Sequence, residues 1–126
     1  MQPVTSGNLP SPVGPYSPGV VVGNLVFVSG QAGREPGTGR LAPDVEGQTE
    51  QVLKNIERAL TELGGSMADV VQVTVFVKDM SGLRAIHEAR LRVFSPPYPT
   101  STLVAVSAFV HPDALIEINA VAALKK

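Results

Sequence analysis

The stretch that decides the fold is ALIEINAVAAL, residues 114–124. Every second residue from Ile116 to Ala122 is apolar, as in a β-strand with one buried face. With a period of two, one face receives Ile116, Ile118, Ala120 and Ala122, and the other receives Leu115, Glu117, Asn119 and Val121. The fully apolar set suits a sheet face that helices cover. Glu117 then lies on the opposite face, where a carboxylate must be paired, hydrogen-bonded or hydrated.

The rest of the chain predicts an α+β order. Strand patterns occur in residues 19–31, which form a hairpin at Gly23-Asn24, and in residues 69–79, 101–110 and 114–123. Helical spacing predicts one helix from an Asp44 cap to Gly64 and a second from a Ser81 cap to Pro96. Residues 1–15, rich in Pro, Gly and Ser, predict an extended arm. We expect a single domain over residues 1–126.

Two helices can cover only one face of this sheet. In residues 69–79 the covered face is predicted to hold Val71, Val73, Val75 and Val77. The uncovered face is predicted to hold Leu25, Phe27, Phe76, Leu103 and Val121. Because a monomer rarely exposes so large an apolar patch, we expect a homo-oligomer with cyclic symmetry, with Glu117 near a subunit boundary.

The composition excludes several classes of function. The chain has 126 residues, a net charge of −1 and no cysteine, so thiol chemistry and cysteine zinc sites are ruled out. The net charge gives no indication of a basic surface for nucleic acid. No apolar run approaches the ~18 residues that a membrane span needs. No two histidines with a carboxylate occur at metal-ligand spacing, so we expect no metal. We expect a cytoplasmic protein without nucleic-acid or membrane partners.

Several residues are candidates for a site, and each has a structural alternative. Glu117 is either an interface or edge glutamate or an acid–base group with a perturbed pKa. Tyr16, in GPY, is either a turn residue or a phenol at a cleft. In SGQ, residues 29–31, the backbone N–H groups either end a strand or bind an anion. For His87 a surface or packing role is favoured over that of a base. His111, which precedes Pro112, is predicted to lie in a loop.

These residues stand within motifs that resemble the Rid family, also called RidA or YjgF, over essentially the whole chain. The matching segments are GPYSPGV (14–20), NLVFVSGQ (24–31), PGTGRL (36–41), QTEQVLKNIERAL (48–60), DVVQVTVFVKDM (69–80), VFSPPYPT (93–100) and IEINAVA (116–122). No single motif is decisive; their order and spacing carry the resemblance.

The resemblance implies a chorismate-mutase-like α+β fold, with a mixed sheet of about six strands and two helices on one face. It also implies a homotrimer with a small-molecule cleft between subunits. Archetypal members hydrolyse reactive enamines and imines to 2-keto acids and ammonia without a cofactor. By position in the motifs, Tyr16, Ser29 and Gly30 correspond to ligand-binding residues, and Glu117 corresponds to the glutamate that positions the attacking water.

The chain departs from the family pattern at four of the implied cleft positions. Ser101 stands where archetypal members carry an arginine that binds the substrate carboxylate, and a serine cannot replace a planar cation. Leu103 replaces a cysteine, His87 replaces an asparagine, and Asn119 replaces a second glutamate. The resemblance therefore implies a divergent member, in which His87, Arg34 or Arg90 is left to supply the missing charge.

The function predicted from the sequence is hydrolytic deamination of an enamine or imine, with weak activity on small 2-imino acids because of Ser101. One alternative is a non-catalytic trimer that binds a small molecule or has a regulatory role. Endoribonuclease activity is disfavoured because the chain lacks a basic stripe for phosphates. Chorismate mutase activity would rest on fold analogy alone.

Overall fold

The computed structural model describes residues 1–125, which form one six-stranded sheet and two α-helices. In chain order the elements are β1 Gln2–Pro3, β2 Gly19–Val22, β3 Leu25–Ala32, α1 Val45–Glu62, β4 Val70–Val77, α2 Leu83–Leu91, β5 Thr100–Ala105 and β6 Ile116–Ala123. Single 3-10 turns, Met67–Asp69 and Met80–Gly82, precede β4 and α2. Within residues 1–125, no helix combines the length and apolar character needed to cross a membrane.

The sheet is mixed, and β6 lies inside it. The spatial order is β1-β2-β3-β6-β4-β5, and every neighbouring pair is antiparallel except β4 and β5. The last strand of the chain is therefore hydrogen-bonded on both sides, to β3 and to β4. This arrangement confirms the predicted α+β class, and it makes β5 an edge strand.

The predicted alternation along β6 is confirmed. Ile116, Ile118, Ala120 and Ala122 are all buried, whereas the intervening residues from Glu117 to Ala123 are partly exposed. The buried residues form one core cluster with inward side chains of both helices, among them Leu53, Ile56 and Ile86. On the other face Phe27 is 41% exposed and Leu25 is 37% exposed, so an apolar sheet surface is uncovered in the single chain.

Two of the predicted face assignments are wrong. The pairing of β4 with β6 shifts register between Val70 and Gln72, so Val70 takes the inward place and Val71 is 46% exposed. Leu103 pairs in parallel with the fully buried Val75 and packs partly buried against the core. It therefore lies on the helix-covered face and not on the open one.

Some predicted boundaries also differ from the structure. The cap at Asp44 is confirmed, since its Oδ1 accepts a 2.8 Å hydrogen bond from the Gly47 N–H. Ser81 is not the second cap: Asp79 accepts from the Ser81 N–H and begins the 3-10 turn, from which α2 continues without a side-chain cap. The strand predicted over residues 101–110 ends at Ala105, and α2 ends at Leu91, before Pro96. The predicted arm contributes the short strand β1.

The end of β3 is pressed directly against α1, and Gly33 makes this contact possible. A Cβ atom at Gly33 would lie only 2.0 Å from the Gln48 carbonyl oxygen. The buried Gln48 amide in turn donates to the carbonyls of Ala42 and Asp113, and its Oε1 accepts from the Leu115 N–H. Gly33 and Gln48 thus hold together the ends of β3, α1 and the loop before β6.

We predict that Gly33→Ala destabilises the protein by about 1–3 kcal/mol or more, because the added methyl meets backbone that cannot move aside cheaply. The matched control is Gly7→Ala, since a Cβ at Gly7 would meet nothing within 4 Å. Thermal unfolding at equal protein concentration measures both variants. Equal midpoints for the two would contradict the close packing of β3 on α1.

Candidate functional site

The carboxylate of Glu117 lies in an open pocket of about 580 Å³ at the end of the sheet where β3 finishes and β6 begins. The pocket is formed by the N-terminal arm, the end of β3, the loop before β6 and Glu117 itself. Its lining residues are Pro10, Val13, Tyr16, Pro18, Ser29, Gly30, Gln31, Ala32, Arg34, Val110, His111, Pro112 and Glu117. Tyr16, Ser29, Gly30 and Glu117 of one chain thus line the same pocket.

A break in the β3–β6 ladder opens this end of the sheet. The register shifts between Val28 and Gln31, which is how a β-bulge re-aims side chains and releases backbone from pairing. Gly30 falls inside the shift. A Cβ at Gly30 would lie 3.8 Å from Glu117 Oε1 and 3.9 Å from the Asn119 Cβ, so the absence of a side chain leaves room beside the carboxylate. Asn119 flanks Gly30 on the open face.

Ser29 ties the N-terminal arm to the pocket. Its hydroxyl donates to the Ser17 carbonyl at 2.6 Å, and its N–H donates to the Pro18 carbonyl at 2.9 Å. That N–H is therefore not free for an anion, and anion binding by the N–H groups of Gly30 and Gln31 stays a prediction. Tyr16, in the turn before these carbonyls, is 47% exposed at the rim.

Burial and a nearby cation act in opposite directions on Glu117. Burial raises the pKa of its carboxyl above the ordinary value, and the positive charge of Arg34 partly offsets the rise. Arg34 is held in place at two points: its Nη2 donates to the Ser11 carbonyl at 2.9 Å, and its own carbonyl accepts from the buried Asn55 amide at 2.8 Å. The pocket therefore contains a partly desolvated carboxylate beside a tethered guanidinium.

The sequence did not predict that His111 or the side chain of Gln31 lies in the site. His111 lies in the loop before β6 as expected, but it lines the Glu117 pocket, and its Nδ1 accepts a 3.1 Å hydrogen bond from the Asp113 N–H. Gln31 lines the same pocket, and its buried Oε1 has no hydrogen-bond partner among residues 1–125. The signal that could have found His111 and Gln31 is their position in the chain. The loop before β6 and the end of β3 lie at the same end of the sheet as Glu117.

Ser101, Leu103 and His87 lie away from the Glu117 pocket of the same chain. Ser101 is the second residue of the edge strand β5, opposite Val73, and its Oγ accepts a 2.7 Å hydrogen bond from Arg90 Nη2 of helix α2. His87 is exposed on α2, one turn before Arg90. The predicted ligand residues therefore form two groups within one chain, one around Glu117 and one around Ser101.

The chemistry of the first group is that of acid and base. Within residues 1–125, no three His, Cys, Asp or Glu side chains converge as metal ligands. A carboxylate with a raised pKa can accept a proton from water and return it, and Arg34 and His111 offer donors to a neutral carbonyl oxygen. The fold and this pocket define a small α+β sheet protein with a glutamate-centred site.

Comparison with known proteins identifies the family. The family model described as Endoribonuclease L-PSP matches residues 6–124. A RutC family protein of Pyrococcus horikoshii is 40% identical over 116 residues, 91% of each chain. The 2-iminobutanoate/2-iminopropanoate deaminase of Salmonella typhimurium is 36% identical over 122 residues, 94% of each chain. RidA from an Antarctic Psychrobacter superposes with a TM-score of 0.93 at 35% identity, covering 98% of this chain and 100% of that one.

The chain belongs to the Rid family, the YjgF-like family to which the L-PSP model corresponds. Its six-stranded mixed sheet with two helices is the chorismate-mutase-like fold of these relatives. The predicted family and fold class are therefore confirmed.

We predict that Arg34→Gln raises the pKa of Glu117 further, because a positive charge favours the ionised carboxylate and its removal favours the protonated form. Carbon-13 NMR titration of the Glu117 side chain measures the change. Arg40→Gln is the control, since Arg40 is exposed and does not line the Glu117 pocket. An unchanged or lowered pKa in Arg34→Gln would show that Arg34 exerts no field on the carboxylate.

Proposed function

We propose that the protein is a hydrolytic deaminase of reactive imines and enamines. The observation that carries this proposal is the Glu117 carboxylate, whose pKa burial raises and whose Oε1 faces the space left open by Gly30. A general base works best when its pKa lies near the working pH, and burial moves a glutamate in that direction. The deaminase activity named for the Salmonella relative supports the same reaction class.

The proposed reaction converts an imine and water into a carbonyl compound and ammonia. An imine or enamine first takes up a proton from solvent, at nitrogen or at carbon, and becomes the iminium. Glu117 accepts a proton from a water molecule as the water oxygen bonds to the iminium carbon, which gives a neutral carbinolamine. The protonated Glu117 then returns that proton to the nitrogen, the C–N bond breaks as the C=O bond forms, ammonia leaves, and the hydroxyl proton passes to solvent. The carboxylate is regenerated, so no cofactor enters the cycle.

The neighbouring residues have supporting roles in this proposal. Gly30 leaves the space in which the imine carbon meets the water. Tyr16, at the rim, supplies a phenol to the ligand, and Ser29 keeps the arm that carries Tyr16 attached to β3 through Ser17. Arg34 limits the rise in the Glu117 pKa and so favours the ionised carboxylate, the form that acts as the base.

We further propose that the functional unit is a homotrimer. The support is the uncovered sheet face, where Val22, Leu25, Phe27 and Val104 are between 37% and 47% exposed. Contiguous apolar surface of this kind marks an interaction site, and closed cyclic assemblies bury such a face on every copy. The edge strand β5 and the Glu117 pocket then have neighbours from other copies.

A second candidate function is non-catalytic binding of an apolar small molecule. The observation that favours it is the rim of the pocket, where Val13 is 68% exposed and Val110 is 88% exposed. Such a protein would take up a ligand at the rim and release it unchanged, so product formation distinguishes the two functions.

We predict that Glu117→Gln lowers turnover of imines by roughly 10²–10⁴-fold, the usual contribution of a general acid–base group. The assay generates 2-iminobutanoate with a coupled enzyme and follows the keto acid. Wild-type turnover should also decline as pH falls through the raised pKa, because the base must be ionised. Glu57→Gln, an exposed change on α1, is the control. Full activity in Glu117→Gln would rule out this carboxylate as the base.

We predict that multi-angle light scattering finds three chains per particle at micromolar concentration. Phe27→Glu should reduce that number, because it places a charge in the centre of the buried apolar face. The control is Val71→Glu, a change at an exposed valine of β4 that the register shift leaves outside the regular ladder. A folded wild-type monomer would refute the assembly.

A further inference from the structure

Arg90 is a cation whose surroundings differ from those of its neighbours on the helix. Arg84 pairs with Glu88 at 3.3 Å, and Arg92 pairs with Glu50 at 2.8 Å, all on exposed surface. Arg90 is partly buried, and within residues 1–125 no carboxylate lies within ion-pair distance of it. Its one side-chain partner there is the Ser101 hydroxyl, at 2.7 Å.

A cation that is partly buried without an anion loses some hydration and gains no ion pair in return. Burial lowers the pKa of Arg90 from its usual value, the direction expected for a partly desolvated positive charge. A guanidinium remains protonated in proteins all the same, and it carries five donors. The Ser101 hydroxyl accepts from one of these donors and fixes the orientation of the guanidinium plane. An incoming carboxylate would accept from the others and supply the missing negative charge.

The position of this pair excludes a shared ligand with Glu117 in the same chain. Ser101 lies opposite Val73, which lies opposite Ala120 on β6, three residues from Glu117. The backbones of Ser101 and Glu117 are therefore two strand spacings and three residues apart, a separation of about 14 Å. Ser101 shares the helix-covered face with Val73, whereas Glu117 points to the open face. In contrast, β5 is the edge of the sheet and accessible to a second copy.

We propose that Arg90, held by Ser101, is the carboxylate-binding residue that one subunit contributes to the Glu117 pocket of the next. The inference rests on the proposed function and adds to it the source of the cation. Helix α2 supplies the charge, and the strand residue Ser101 supplies the hydroxyl that positions it. Arg34 does not take this role, because it is tethered to Ser11 and lies beside Glu117, where a second carboxylate would be repelled.

The first test measures binding without catalysis. The probe is 2-oxobutanoate, titrated into the full-length protein by calorimetry. Arg90→Gln should weaken binding about 10- to 100-fold, the scale of hydrogen bonds to a charged group. Arg84→Gln is the matched control and should bind as wild type does, since Arg84 is 93% exposed and paired with Glu88. Equal affinities for Arg90→Gln and Arg84→Gln would overturn the proposal.

A rescue experiment separates a binding role from a structural one. Arg90→Gln combined with Ser101→Arg moves the guanidinium from the helix to the strand and should regain most of the lost affinity. If Arg90→Gln does not fold, Arg90→Lys replaces it, and the loss of the planar fork should still weaken binding. A double variant that remains as weak as Arg90→Gln, with a wild-type unfolding midpoint, would count against an anion site at this edge.

Subunit complementation tests whether the two groups act across an interface. Glu117→Gln and Arg90→Gln trimers, each impaired alone, are mixed under conditions of subunit exchange. Random mixing should restore about a quarter of the sites, because each mixed trimer with cyclic symmetry contains one interface with both residues intact. No recovery after verified exchange would overturn the contribution between subunits. If Glu117→Gln is fully active, the proposed function fails; if Arg90→Gln alone behaves as wild type, this inference fails.

Discussion

The alternation of side chains along β6 is the constraint on which the rest of the structure depends. This strand is hydrogen-bonded to β3 on one side and to β4 on the other, so its two faces set the two faces of the sheet. A slip of one residue would place Glu117 under the helices and expose Ile116 and Ile118, which are at most 1% exposed. Burying that carboxylate without a partner costs several kcal/mol, on the order of the whole stability of a domain. The register is therefore strongly specified, and it places the glutamate on the open side.

Local departures from regular pairing create the pocket around that glutamate. The register shift between Val28 and Gln31 releases Gly30 beside the carboxylate, and Gly33 lets the strand end approach α1. Asn55, buried on α1, then holds the Arg34 carbonyl. The helix layer thus positions a residue of the site although it contributes no side chain to the pocket. This coupling explains how a small fold combines a rigid core with an open edge.

The arginines show how the fold distributes charge. Arg84 and Arg92 form exposed ion pairs, which contribute little to stability because water screens them and the long side chains lose freedom. Arg34 and Arg90 are partly buried and donate to uncharged oxygens, a carbonyl and a hydroxyl. Within residues 1–125 neither forms an ion pair with a carboxylate, so the direction of each guanidinium is fixed by a neutral acceptor. The two are thereby distinguished from the arginines of the surface pairs.

The sequence by itself determined the class of the fold, the family, the two faces of β6, the hairpin at Gly23 and the cap at Asp44. The fold class, the faces of β6, the hairpin and the cap follow from periodicity and from turn and cap chemistry, which act over a few neighbouring residues. The family follows from the resemblance of motifs along the whole chain. It predicted Leu103, Val71 and Ser81 wrongly, because the strand phase, the register shift and the cap depend on which residue the neighbouring element meets. Only the tertiary structure placed Arg34 beside Glu117, His111 in the pocket wall and Arg90 on Ser101. Those contacts join different elements, and their distances are set by how helices and loops pack on the sheet.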